Sequence, residues 1–112
     1  MDHRGIWRRL YEAEIERNWS AVESMLTHDF VYVCDEIHTE GPKAFTEYFK
    51  EELKKFRDLS VKPISFSDGE DLRVTYDVQY KREKETVRTQ TECTYSFSGN
   101  KVSKLIEKWS GD

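Results

Sequence analysis

Residues His28 to His38 place two histidines, a cysteine, two aspartates and a glutamate within eleven positions, in the stretch "LTHDFVYVCDEIHTEG". Such a set could in principle hold a metal ion or supply a base and a nucleophile. Two further carboxyls stand out by their surroundings. Glu14 falls in the middle of an apolar helical stripe, and Glu107 shares its strand phase with Leu105 and Trp109. A carboxyl among aromatic rings has a raised pKa and can act as a proton shuttle. Glu14 and Glu107 are therefore the catalytic candidates. The simpler expectation for Glu14 is that its carboxylate reaches the rim or pairs with an arginine.

Whether these groups meet depends on the elements that carry them. "RGIWRRLYEAEIERN", residues 4–18, reads as a helix with Ile6, Trp7, Leu10, Tyr11 and Ala13 on one face. "WSAVESML" opens a second helix, with Ser20 and Glu23 at the spacing of a capping box and Val22, Met25 and Leu26 as its buried stripe. A strand follows over 29–37. Phe30, Tyr32 and Cys34 share one of its faces, while Val31, Val33 and Asp35 share the other. This phase already separates Cys34 from Asp35 and leaves His28 before the strand and His38 in a loop after it. A metal site in the opening stretch is therefore not expected, and His3 falls in a terminus expected to be mobile.

"GPKAFTEYFKEELKKF" is the clearest helix, with Gly41 and Pro42 at its start and Phe45, Tyr48, Phe49, Leu53 and Phe56 as its stripe. Four strands are expected near 60–67, 71–81, 86–97 and 101–110, with turns at "SDGED", "KREKE" and "SGNK". Leu72, Val74, Tyr76, Val78 and Tyr80 face one way, as do Val87, Thr89, Thr91, Cys93, Tyr95 and Phe97 on the next strand. Arg73, Asp77, Gln79, Arg88, Gln90, Glu92, Lys104 and Lys108 face the other. The order is helix, helix, strand, helix and four strands. It describes an α+β domain over residues 1–112, with helices packed on one face of a curved antiparallel sheet.

Composition narrows the function. The 112 residues carry a formal net charge of −4 with both signs mixed along the chain, so nucleic-acid binding is not expected. The two cysteines form no CxxC pattern, which leaves a structural zinc site unsupported. There is no apolar signal core, no membrane-length run and no cofactor motif. The expectation is a soluble cytoplasmic protein without metal or cofactor.

Three local patterns give a resemblance. "RNWSAVESMLTHDFVYV", "EGPKAFTEYF" and "CTYSFSGNKVSKLIEKW" are similar to segments of the nuclear transport factor 2-like superfamily, in its SnoaL-like and ketosteroid isomerase-like branch. The resemblance covers about residues 4 to 110, with Asn18 where many members have Asp. It implies a cone in which the bent sheet wraps the first helix and leaves a cavity at the wide end. It also implies positions for the isomerase residues. Cys34 stands where the base would be, Cys93 where the protonated acid would be, and Leu10 where the tyrosine would be, with Tyr11 beside it. A thiol at an apolar position is mostly neutral and a poor base, so the isomerase apparatus is absent. The Asp and His residues of scytalone dehydratase-like members and the Asp–Arg–Asp set of limonene epoxide hydrolase-like members find no counterpart, since no strand has an inward arginine.

The functional expectation is a pocket for a small apolar molecule walled by Tyr11, Tyr32, Cys34, Tyr76, Cys93, Tyr95, Glu107 and Trp109, all converging beside Glu14. Cys34 and Cys93 act there as small apolar fillers, with pairing across the cavity as the lesser alternative. An acid/base enzyme using Glu107 or Glu14 is the second reading. A homodimer or protein-interaction module using the outer sheet face is the third, since members of the family often dimerise there.

Overall fold

The computed structural model describes residues 2–110. Its elements run α1 (His3–Ile15), α2 (Trp19–Ser24), β1 (Leu26–Cys34), β2 (Ile37–Glu40), α3 (Pro42–Lys55), β3 (Arg57–Ser67), β4 (Leu72–Arg82), β5 (Glu85–Ser98) and β6 (Lys101–Trp109). The architecture is α+β: three helices and one curved, unclosed sheet in the order β2-β1-β6-β5-β4-β3. Four of the neighbouring pairs are antiparallel. The fifth, β1 against β6, is parallel, because the chain reaches β6 only after running through α3 and the long meander.

The first two helices begin where short polar side chains satisfy one of the first free N–H groups. Asp2 accepts from the Gly5 N–H at 3.0 Å. Asn18 accepts from the Ala21 N–H at 3.3 Å. The capping box expected at Ser20 and Glu23 is thus displaced: α2 starts two residues earlier than that motif requires. Glu23 instead accepts from Thr46 Oγ1 at 2.6 Å and clamps α2 to α3. Leu26 belongs to β1, so the helix ends before it. At α3, Gly41 adopts φ 89°, a conformation open to glycine, and Pro42 takes the first helical turn.

Two departures concern β2. The first strand ends at Cys34, and Ile37–Glu40 folds back on it as a short edge strand through the two-residue turn Asp35–Glu36. Asp35 has φ 51°. The turn uses Asp's tolerance of left-handed backbone, a weaker signal than Asn-Gly. His38 therefore lies on β2 and His28 on β1, both exposed. His3 is the first residue of α1, its ring stacked on Phe97 at 4.1 Å.

The buried residues form one contiguous cluster. Ile6, Trp7, Leu10 and Ala13 of α1 lie against Leu72, Val74, Tyr76 and Val78 of β4 and Cys93 and Tyr95 of β5. Phe45 of α3 meets Phe30 and Tyr32 of β1 at ring separations of 5.2 and 5.1 Å. The alternation predicted for β4 is observed over Leu72–Gln79. Arg73, Asp77 and Gln79 are exposed on the convex face together with Arg88, Gln90, Glu92, Lys104 and Lys108.

Candidate functional site

The concave face is organised in rows across the strands. Glu107 on β6 pairs with Cys34 on β1 and with Cys93 on β5, and Cys93 pairs with Val74 on β4. The two cysteines flank Glu107 on the same face. They are two strand spacings apart, roughly 9.5 Å, which exceeds the Cα separation a disulfide spans. Pairing across the cavity is therefore ruled out, and both thiols are free and buried. In the neighbouring row Tyr32, Leu105, Tyr95 and Leu72 lie side by side.

The polar atoms on this face fall into two groups. The first is a closed chain. The Trp7 Nε1–H donates to Tyr76 Oη at 2.7 Å, and Tyr76 and Tyr95 share a hydroxyl–hydroxyl bond of 2.5 Å. The Tyr95 hydroxyl also acts on the Cys93 thiol, two residues earlier on β5. Trp7 can only donate, and either tyrosine hydroxyl can donate to the other, so Trp7, Tyr76 and Tyr95 each have a partner. Burial, followed by the nearby Glu107 and Glu14 carboxyls, pushes the Cys93 thiol well above its ordinary range. Burial also raises both tyrosine hydroxyls. Nothing in this group ionises near neutral pH. Tyr11 is closed off in a different way: its hydroxyl donates to the Val61 carbonyl at 2.7 Å, pinning α1 to edge strand β3.

The second group is not closed. Burial pushes the Glu107 carboxyl up. The Tyr32 hydroxyl and Trp109 act against this, while the charges of Glu52 and Asp35 add to it. Tyr32 Oη donates to Glu107 Oε1 at 3.1 Å. Glu14 is the more extreme case. Burial, reinforced by repulsion from Glu107 and opposed by Arg17, raises it to about 8. Its carboxyl makes no hydrogen bond or ion pair among the described residues. The expected arginine partner is misdirected, because Arg17 Nη1 donates to the Glu14 backbone carbonyl at 2.7 Å rather than to the carboxylate. Glu14 is deeply enclosed by protein yet keeps accessible surface. That combination describes the wall of a recess.

Trp109 corrects the inward placement expected from its phase. It is 39% exposed and forms part of the rim, close enough to Glu107 and Cys34 to act on both. β6 ends at Trp109, which leaves the ring at the edge of the sheet. Burial first, then Glu107, raises the Cys34 thiol, so it is neutral and unsuited as a base.

Three residues near the site were missed in the sequence. Trp7 anchors the tyrosine chain. Tyr48 and Glu52 of α3 face Tyr32 and Glu107, with Tyr48 Oη donating to Glu52 Oε1 at 2.8 Å and the Tyr48 ring 5.6 Å from that of Tyr32. The signal for the pair was their i, i+4 spacing beside the apolar stripe. The residues of the opening stretch do not assemble. His28, Asp29, Asp35, Glu36 and His38 are all exposed, and His38 pairs with Glu40 at 3.6 Å. No group of three or more metal-ligating side chains converges among the described residues.

With this geometry in view, comparison with known proteins gives a consistent result. A sequence model of the SnoaL-like domain matches residues 7–103. No curated protein sequence is similar enough to match. Among solved structures, a protein of unknown function and nuclear transport factor 2-like fold from Burkholderia pseudomallei superposes with a TM-score of 0.86 at 12% identity, covering 98% of this chain and 92% of its own. A candidate ketosteroid isomerase from Kribbella flavida gives 0.79 at 16% identity, covering 97% and 78%. A candidate polyketide cyclase from Sinorhizobium meliloti gives 0.79 at 16%, covering 96% of each chain. These likenesses establish the fold. No described helix is long and apolar enough to cross a membrane.

Proposed function

The chain belongs to the SnoaL-like domain family, and from that premise we propose that it binds a small, largely apolar molecule in the recess between α1 and the concave sheet. In this reading Glu14 exchanges a proton with the bound molecule and Glu107 is the fixed carboxylate that holds it. The division follows from the environments. Glu107 has one hydrogen-bond donor, the Tyr32 hydroxyl at 3.1 Å, which opposes the upward push of burial. Glu14 has none, and its pKa near 8 lies where a general acid or base works best at neutral pH.

The observation that carries the reading is the unpartnered Glu14. Each hydroxyl of Tyr11, Tyr32, Tyr48, Tyr76 and Tyr95 has a protein partner. A deeply enclosed carboxyl without one is costly unless a bound molecule or water supplies it. The neighbouring thiols cannot take over the role, since burial keeps both protonated.

Solvent-deuterium incorporation into a panel of ketones, enones and aldehydes tests the proposal. The wild-type chain is expected to catalyse exchange next to the carbonyl, and Glu14→Gln to lose about 100-fold or more of that rate, as removal of a positioned base does. Equal rates in the two proteins would end the acid/base reading.

A further inference from the structure

The charges and rings around Glu107 define what it can hold. The side chains that act on it are Tyr32, Trp109, Glu52 and Asp35, and none is cationic. From α1 the facing group is Glu14, and from the flanking strands the two neutral thiols Cys34 and Cys93. On α3, Lys55 is engaged by Glu52 at 3.0 Å. Glu107 is thus an enclosed carboxyl oriented by the Tyr32 hydroxyl, with no ion pair among the described residues. An enclosed, unneutralised charge is expensive.

The ring geometry adds an independent constraint. Tyr32 and Tyr48 present a tilted pair at 5.6 Å, and Trp109 leaves its indole exposed at the rim beside the same carboxylate. The position of Trp109 is fixed by the backbone on both sides. Thr91 Oγ1 donates to the Lys108 carbonyl at 3.0 Å, and the Ser110 N–H donates to the Gln90 carbonyl at 2.9 Å. Aromatic rings beside a carboxyl add to its attraction for a positive charge through their quadrupoles. An anionic ligand would be repelled by Glu107, Glu52 and Glu14. A cation would favour the ionised form of Glu107 that burial disfavours.

We propose that the ligand of this recess carries an organic ammonium group, which sits against Glu107 among the rings of Trp109, Tyr32 and Tyr48. The inference rests on the reading of the recess as a small-molecule site, and it adds the chemical class of the ligand. Glu14, farther in on α1, then meets the apolar or carbonyl-bearing remainder of the same molecule.

The probes are choline and its uncharged carbon isostere, 3,3-dimethylbutan-1-ol, titrated calorimetrically into the full chain at low ionic strength. Choline is expected to bind at least about tenfold more tightly than the isostere. In Glu107→Gln, a near-isosteric change, that preference should fall towards one. In Trp109→Leu, at an exposed site that leaves the fold intact, choline should weaken more than the isostere. Equal binding of the two probes to the wild type, or an unchanged preference in Glu107→Gln, would overturn the inference. If neither probe binds while the wild type still exchanges ketone protons, the ammonium class is wrong and the proton-exchange reading stands. If both experiments are blank, the two fall together.

Discussion

The concave face has two halves that differ in how their polar atoms are completed. Around Tyr76, hydrogen bonds join Trp7, Tyr76 and Tyr95 beside Cys93, and all four residues are at most 5% exposed. Around Glu107 and Glu14 the Tyr32 hydroxyl is the one hydrogen-bond donor among the described residues, and neither carboxyl forms an ion pair there. Similar residue types thus serve opposite ends. A buried network that is fully satisfied fixes a core, whereas one left open invites a ligand. Tyr76, Cys93 and Tyr95 had been expected to line a pocket. The structure places them in the closed half.

That contrast can be broken most visibly at Tyr76. Replacement by Ala removes a buried ring and two hydrogen bonds, and should cost about 3–5 kcal/mol in chemical denaturation. A loss under 1 kcal/mol would mean the closed half is hollow.

The open half should show its imbalance in pH dependence. Glu14 binds its proton more tightly in the folded chain, near 8, than in the unfolded chain, near 4.5. Its contribution is therefore full below about pH 4.5 and is lost as the pH rises to about 8. Within that window the slope is up to about 1.4 kcal/mol per pH unit. Glu14→Gln should flatten this part of the stability profile. An unchanged slope would show that Glu14 is not the responsible group.

A finer cut is Tyr76→Phe, which keeps the ring and removes only the hydroxyl. The Trp7 N–H and Tyr95 hydroxyl lose their shared partner, at a cost of about 1–3 kcal/mol by thermal or urea melts. At the other end of the scale, Trp109→Leu should stay within about 0.5 kcal/mol of wild type, because the ring is 39% exposed and serves the rim. If Trp109→Leu proved as costly as Tyr76→Phe, the distinction between core and rim would be lost.

The fold was legible in the sequence where periodicity was strong. The stripe of α1, the Gly-Pro start of α3 and the alternation along β4 and β5 were sufficient to give the helices, the sheet and the faces. The departures have local causes. β2 was hidden because its turn is Asp35–Glu36, without glycine or asparagine, and because four residues carry little alternation. The cap of α2 was misplaced because Asn18, Ser20 and Glu23 offer competing acceptors, and backbone geometry decides among them.

The site was legible only as far as strand phase reaches. Phase gave Glu107 the company of Cys34 and Cys93, although the register that sets them in one row was out of reach. Phase could not show that Trp109 lies at the end of β6, on the edge of the sheet. Hydrogen-bond completion depends on distances between elements far apart in the chain, such as Trp7 and Tyr76, and no spacing rule supplies those. The unpartnered state of Glu14 is a property of that kind.

The most direct measurement is a carbon-13 NMR titration of the Glu14 side-chain carboxyl, assigned by its disappearance in Glu14→Gln. An enclosed carboxyl without a protein partner and facing Glu107 should titrate with a midpoint near 8. A midpoint in the ordinary range near 4.5 would mean that the carboxyl is solvated or paired, and would contradict the open recess on which the account depends.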